Sequence, residues 1–171
     1  MSQVWSEINK VVNVLDPASQ SGTSGTAVNT DVVDMENYKK CTFLVHTGAV
    51  ALNKMAITAY ANDDNATSGS AITFRYRTQI AGTGGNSATS GSDVPSALST
   101  GSSITTTTGA AGGMYIIEVD APTVAAAGTD YDHTYLKFTT QGSYGTARLY
   151  GVVAVLSEPR YPQAILDTAI G

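Results

Sequence analysis

The sequence predicts an all-β chain, an antiparallel β-sandwich of about eight strands of jelly-roll or Greek-key type. Three observations lead there. Apolar residues recur in short runs broken by Gly, Ser, Asn and Asp clusters. The composition is rich in turn formers, with 17 glycines, and poor in charge, with 13% charged against 42% hydrophobic residues. No segment carries a long 3.6-residue period, so the helices that parallel strands need between them are missing. A chain of 171 residues suits one domain. The sandwich is expected over residues 1–156, with residues 1–10 as a candidate N-terminal arm and residues 157–171 as an extended C-terminal arm.

Taken in order, the first run, Val11 to Leu15, is expected to stop at Asp16-Pro17, because proline lacks the N–H that a ladder needs. Ser19 to Thr30 reads as loop, Asp31 to Met35 as a short strand and Asn37 to Lys40 as a polar turn. Cys41 to Thr47 is a stronger strand that Gly48 ends. Met55 to Ala61 follows, broken by Asn62-Asp63-Asp64-Asn65, whose side chains can bond their own backbone. From Ile72 to Thr78 the alternation is clean: Ile72, Phe74 and Tyr76 point one way, Thr73, Arg75 and Arg77 the other. That puts Arg75 and Arg77 on a face turned to solvent or a partner. Ile80 to Thr108 is a long Gly/Ser/Thr excursion with one weak strand near Ser103 to Thr107. Met114 to Val119, Tyr135 to Thr140 and Ala147 to Leu156 complete the strands. Short helices are expected only at Ser6 to Lys10 and Val124 to Ala127. The expected core includes Phe43, Val45, Ile57, Phe74, Tyr76, Ile117, Phe138, Val153 and Val155.

Charge and chemistry narrow the function classes. A net charge of -5 with scattered Lys and Arg disfavours nucleic acid. The single cysteine, Cys41, forbids an intrachain disulfide. The first residues lack the basic and apolar regions of a signal peptide, and nowhere do about 18 apolar residues run together, so synthesis in the cytoplasm without a membrane span is expected. An enzyme needs a base, nucleophile or metal in mutual reach, and the inventory is two histidines and one cysteine. His46 reads as a structural strand histidine and Cys41 as a small buried hydrophobe. The Asn62 to Asn65 cluster lacks the glycine and distal glutamate of a calcium loop, and Asp130, Asp132 and His133 read as a polar turn before a strand. Gly82, Gly84 and Gly85 lack a following lysine and helix, so no phosphate cradle is expected. Asn65-Ala66-Thr67 matches a glycosylation sequon only formally. No enzymatic activity, cofactor or metal is assigned.

The residues that remain point to partners. Nine tyrosines accompany one Trp and three Phe, and tyrosine suits interfaces with a packed ring and a wet hydroxyl. Trp5 before the first strand and Tyr161 between two prolines are the expected anchors. Glu158 and Arg160 are expected as rim charges, with Pro159 and Pro162 holding that segment extended.

Several segments together carry a resemblance: Asp34-Met35-Glu36-Asn37-Tyr38 leading into Phe43 to Gly48, Ile57 to Asp64, Ala71 to Arg77, Tyr115 to Asp120, and Gly151 to Gln163. The ending Val-Leu-Ser-Glu-Pro-Arg-Tyr-Pro-Gln-Ala, residues 155–164, is the most characteristic. In these segments, over nearly its whole length, the chain resembles a family of small structural proteins encoded among the head genes of tailed bacteriophages. The resemblance implies a virion component that decorates or cements the outer surface of a shell of major capsid proteins. By analogy with decoration proteins on three-fold positions it also implies a homotrimer. The other readings are a neck, tail or fibre subunit of the virion, or a carbohydrate-binding or adhesin β-sandwich, for which one Trp is a poor sugar platform.

Overall fold

Strict alternation of inward and outward side chains makes each strand here a two-faced object, and two sheets closing on their apolar faces is the consequence. The computed structural model describes residues 4–20, 25–48, 54–80, 95–106, 113–142, 148–160 and 170. These form α1 (Trp5–Ile8), β1 (Lys10–Gln20), β2 (Ala27–Asn29), β3 (Val33–Asp34), β4 (Tyr38–Thr47), β5 (Lys54–Asn62) and β6 (Ser70–Ile72). They continue as β7 (Phe74–Ile80), β8 (Ser99–Gly101), β9 (Ile104–Thr105), β10 (Gly113–Asp120), α2 (Ala121–Ala125), β11 (His133–Gln141) and β12 (Arg148–Pro159).

The first sheet runs β1-β12-β4-β10-β7-β8, and the second β2-β11-β5-β6, with β3 also on β11 and β9 also on β5. Every pairing is antiparallel. The partners nest: β1 with β12, β2 with β11, β4 with β10 and β5 with β6. That nesting of first with last, alternating between sheets, is the jelly-roll arrangement. The expected sandwich stands, with twelve strands among the described residues in place of eight. The additions are β2, inside the segment Ser19 to Thr30 expected as loop, and β8, inside the Ile80 to Thr108 excursion, together with the weak strand there, which is two-residue β9, and the division of Ile72 to Thr78 into β6 and β7.

The core lies between the sheets. Cys41, Phe43 and Val45 of β4, Ile117 and Val119 of β10 and Ala154 and Leu156 of β12 face Ile57 and Ala59 of β5 and Leu136 and Phe138 of β11. The ring of Phe138 meets that of Tyr150 at 4.8 Å across the gap. Each such buried aliphatic or aromatic side chain contributes about 1.5–3 kcal/mol. α2 begins with proline in its first turn and buries Ala121 and Val124 against the same core, a few residues before the expected helix. α1 is one residue earlier than expected, and Asn9 closes it by donating to the Trp5 carbonyl from its backbone N–H (3.1 Å) and side chain (2.9 Å).

Several expectations are corrected. β1 passes through Asp16-Pro17 to Gln20, because it is an edge strand whose register slips between Asn13 and Leu15 and again between Leu15 and Ala18, leaving Pro17 outside the ladder. Asn37 to Lys40 is a turn only at its start, since Tyr38 is buried and already in β4. The run Ile72 to Thr78 is two strands: Thr73 is the crossing point, with β6 in the second sheet and β7 in the first. Val153 and Val155 face outward, and Val152, Ala154 and Leu156 are the core residues of β12. Tyr76 is only half-buried, edge-on to Phe74 at 6.0 Å. The ladder also continues past residue 157: Ser157 pairs with Lys40 and Pro159 with Tyr38, and the Arg160 N–H donates to the Asn37 carbonyl at 2.9 Å. A proline tolerates this position because it closes the strand. Val94 and residues 81–93 lie outside the described residues.

Candidate docking surface

The outer face of the first sheet is built from the alternate residues of four strands. Val11 and Asn13 of β1, Leu149, Val153 and Val155 of β12, Leu44 and His46 of β4, and Met114 and Ile116 of β10 turn away from the core, while half-buried Leu15 of β1 packs partly against it. Register sets Val11 beside Val155, Asn13 beside Val153, and Leu44 between Val153 and Ile116. Val11 and Leu149 are more than half exposed, at 53% and 52%. Val11 and Val155 in one row and Val153, Leu44 and Ile116 in the next put aliphatic side chains of four strands side by side on the side that the core does not use, bordered by Asn13, Thr42 and Glu118, an apolar patch of the kind that marks an interaction surface.

One end of this face is hollowed. Gly151 forms the floor of a shallow cavity of about 170 Å³, lined by Leu15, Pro17, Leu44, His46, Leu149 and Val153. Its glycine has a local reason: a Cβ at position 151 would meet the Pro17 ring at 3.0 Å and its backbone nitrogen at 3.1 Å. His46 is exposed at the lip of this groove, in register with Gly151 and Met114. Cys41 is fully buried in apolar surroundings, which pushes its thiol far above the usual range and leaves it inert at neutral pH.

At the opposite end of β1 and β12, where Lys10 pairs with Leu156, α1 packs on both strands. It carries Val4 beside it and Trp5 within it, both more than half exposed. Glu158, Pro159 and Arg160 lie at this same end. Glu158 adopts a left-handed conformation (φ 56) and pairs with Lys40 at 3.7 Å, an exposed contact worth little stability. Tyr161 and Pro162 lie outside the described residues. Of the six expected partner residues, Trp5, Glu158, Pro159 and Arg160 thus share one end of the sheet.

The arginines are less free than the alternation implies. Arg75 Nη2 donates to both carboxylate oxygens of Asp120 at 3.0 and 2.8 Å and stands 3.7 Å from Glu118. Arg77 donates to the Ser96 carbonyl at 2.9 Å. The Asn62 to Asn65 segment is the expected turn: Asn62 Nδ2 donates to Asp64 Oδ1 and the Ala66 carbonyl, and the Ala66 N–H donates to Asp64.

The outer face of the second sheet differs in kind. Tyr60 and Tyr135 stack at 5.2 Å, Lys137 lies over the Tyr60 ring at 5.6 Å, and Thr58 and Thr139 fill the neighbouring positions. Burial pushes the Tyr135 hydroxyl up, against a Gly69 backbone hydrogen bond that lowers it. Sequence reasoning missed Val11, Leu44, Leu149 and Gly151 as surface-forming residues. The signal available was an apolar run, Gly151 to Leu156, too continuous for a strand with one wet face.

No helix among the described residues is long and apolar enough to cross a membrane. No family model and no curated protein matches the chain. Among solved structures, the chain is similar at 11% identity and a TM-score of 0.25 to a chain in the structure of infectious bursal disease virus Gt strain, over 95% of this chain and 44% of that one. The chain therefore spans less than half of that viral chain.

Proposed function

We propose that this chain is a structural virion protein of a tailed bacteriophage that decorates or cements the shell, binding the outer surface of the major capsid protein layer. The observation that carries the reading is the aliphatic patch on the outer face of the first sheet, with Val11 beside Val155 and, in the next row, Val153 beside Leu44 and Ile116. A β-sandwich needs one apolar face per sheet to fold, and a second is useful only against a partner. The resemblance of residues 155–164 and the other segments to phage head proteins supplies the partner's class. The end that carries Trp5 and Glu158 to Arg160 is the second contact, between copies in a homotrimer. Binding shells and copies of itself asks for shape and apolar area rather than chemistry.

The copy number in purified particles tests this. Quantitative gels of virions should give on the order of hundreds of copies, as shell symmetry requires of a decoration protein. About six or twelve copies would instead make the chain a connector or tail component, and absence from particles would end the virion reading.

A further inference from the structure

Three ligand-bearing side chains from two distant parts of the chain converge where β3 meets β11. Antiparallel pairing sets Asp34 opposite His133. The Met35 N–H donates to the Asp132 carbonyl at 2.8 Å, and the Asp132 N–H donates to the Asn62 carbonyl at 3.1 Å, so the backbone on both sides is held. As a result Asp34, Asp132 and His133 each offer one ligand atom within 4.8 Å of the other two. All three residues are half-buried, and the His133 side chain is only 17% exposed.

The donors are only partly used. Asp34 Oδ1 accepts from the Glu36 N–H at 2.7 Å, and Asp132 Oδ1 lies 2.5 Å from His133 Nδ1. The second oxygen of each carboxylate has no hydrogen-bond partner among the described residues. The Lys and Arg ion pairs there go elsewhere, Lys40 to Glu158 and Arg75 to Glu118 and Asp120. Strand register thus holds two carboxylates together with an imidazole, the one basic group in salt-bridge distance of either among the described residues, an arrangement that a cation would stabilise.

We propose that Asp34, Asp132 and His133 bind a divalent transition-metal ion of the zinc(II) class, with water in the open positions. The imidazole selects that class over calcium and magnesium, which take oxygen donors. Zinc–oxygen and zinc–nitrogen bonds of about 2.0–2.2 Å put donors of one site no more than about 4.4 Å apart, a span close to that of this cluster, and an ion would take the place of the Asp132–His133 hydrogen bond. Asp130, the acid that stands near these residues in sequence, is not part of it; Asp34 takes that place through strand pairing. The ion would lock β3, a two-residue strand that also bridges to Ile170, onto β11.

The full chain, stripped with a chelator, is titrated calorimetrically with zinc(II) and separately with calcium(II), and melted with and without each ion. The expected result is one zinc per chain at micromolar affinity, a raised melting temperature, and no displacement by calcium. Asp34→Asn and His133→Gln should each weaken zinc binding at least about tenfold while the metal-free melting temperature stays close to that of the parent. No uptake at millimolar zinc, or undiminished uptake by the double variant, overturns the proposal. If a variant fails to fold, the visible spectrum of the parent chain with cobalt(II) decides. Ligand-field bands of a protein-bound ion sustain the site, and the spectrum of the aqueous ion overturns it.

Discussion

On the outer face of the first sheet stand Val11, Leu44, Ile116, Val153 and Val155, whereas the matching face of the second sheet presents Thr58, Tyr60, Lys137 and Thr139. Inside, the two sheets are alike: Phe43 and Ile117 on one side meet Ile57 and Phe138 on the other, all fully buried or nearly so. The inner faces are what folding selects, since burial there offsets the entropy of ordering the chain. The outer faces are free of that demand. Their difference therefore reports on what each side meets after folding, aliphatic surface on one sheet and hydroxyl and amine groups on the other.

The comparison breaks first if the inner faces are not equivalent. Phe43→Ala and Phe138→Ala, one in each sheet, should each lose about 3–5 kcal/mol in urea denaturation followed by circular dichroism. A loss confined to one of them would mean that the sheets do not share a single core. Alkali supplies the next largest effect. Burial raises the Cys41 thiol and the Tyr135 hydroxyl, so each stays protonated in the folded chain when the unfolded chain has released its proton. Their contribution is fully present below the unfolded values, about 8.5 for Cys and about 10 for Tyr, and is lost as pH rises toward the folded ones. Urea midpoints should hold to about pH 8 and then fall, with Cys41→Ala removing the early part of the decline and Tyr135→Phe the later part.

The outer faces are compared directly by one charge on each. Val153→Asp should cost less than about 1 kcal/mol of stability yet abolish binding to capsid shells in a sedimentation assay, while Thr58→Asp should leave both unchanged. Equal binding by the two variants would remove the first sheet's face from the interface. The smallest effect is expected at Arg75→Ala, about 1 kcal/mol or less, because its pairing with Asp120 is solvent-screened, with side chains 40% and 36% exposed. Thermal melts resolve it only with added salt as a control, which should shrink the difference further.

How far the sequence could be read follows from where alternation is unambiguous. β4, β5, β10 and β11 were legible because polar and apolar residues take turns along them, and their inner residues Phe43, Val45, Ile57, Ile117 and Phe138 are those expected. β12 is apolar on both faces, so nothing local says whether its odd or even residues point inward, and Val153 and Val155 were assigned to the wrong side. The alternation from Ile72 to Thr78 is genuine on each side of Thr73, yet no local signal marks a chain that changes sheets in mid-run. Of the candidate surface, Trp5 and Glu158 to Arg160 were legible as residues that the core does not claim. The Gly151 floor and the approach of Asp34 to Asp132 and His133 were not, since both depend on register between distant strands.

β12, the last strand among the described residues, lies between β1 and β4 in the finished sheet. Until it emerges, β1 has no partner strand among the described residues, and β4 exposes a bare edge with the groups that later bond Tyr150 to Pro159. The first sheet therefore cannot close before β12 has been made, and its two largest contacts, β12 with β4 and with β1, join residues more than about 100 positions apart. Such a topology folds slowly and passes through species with open strand edges. A chain cut short before residue 148 would lose the central staple of that sheet rather than a tail, so premature termination there should yield aggregates and not a smaller sandwich.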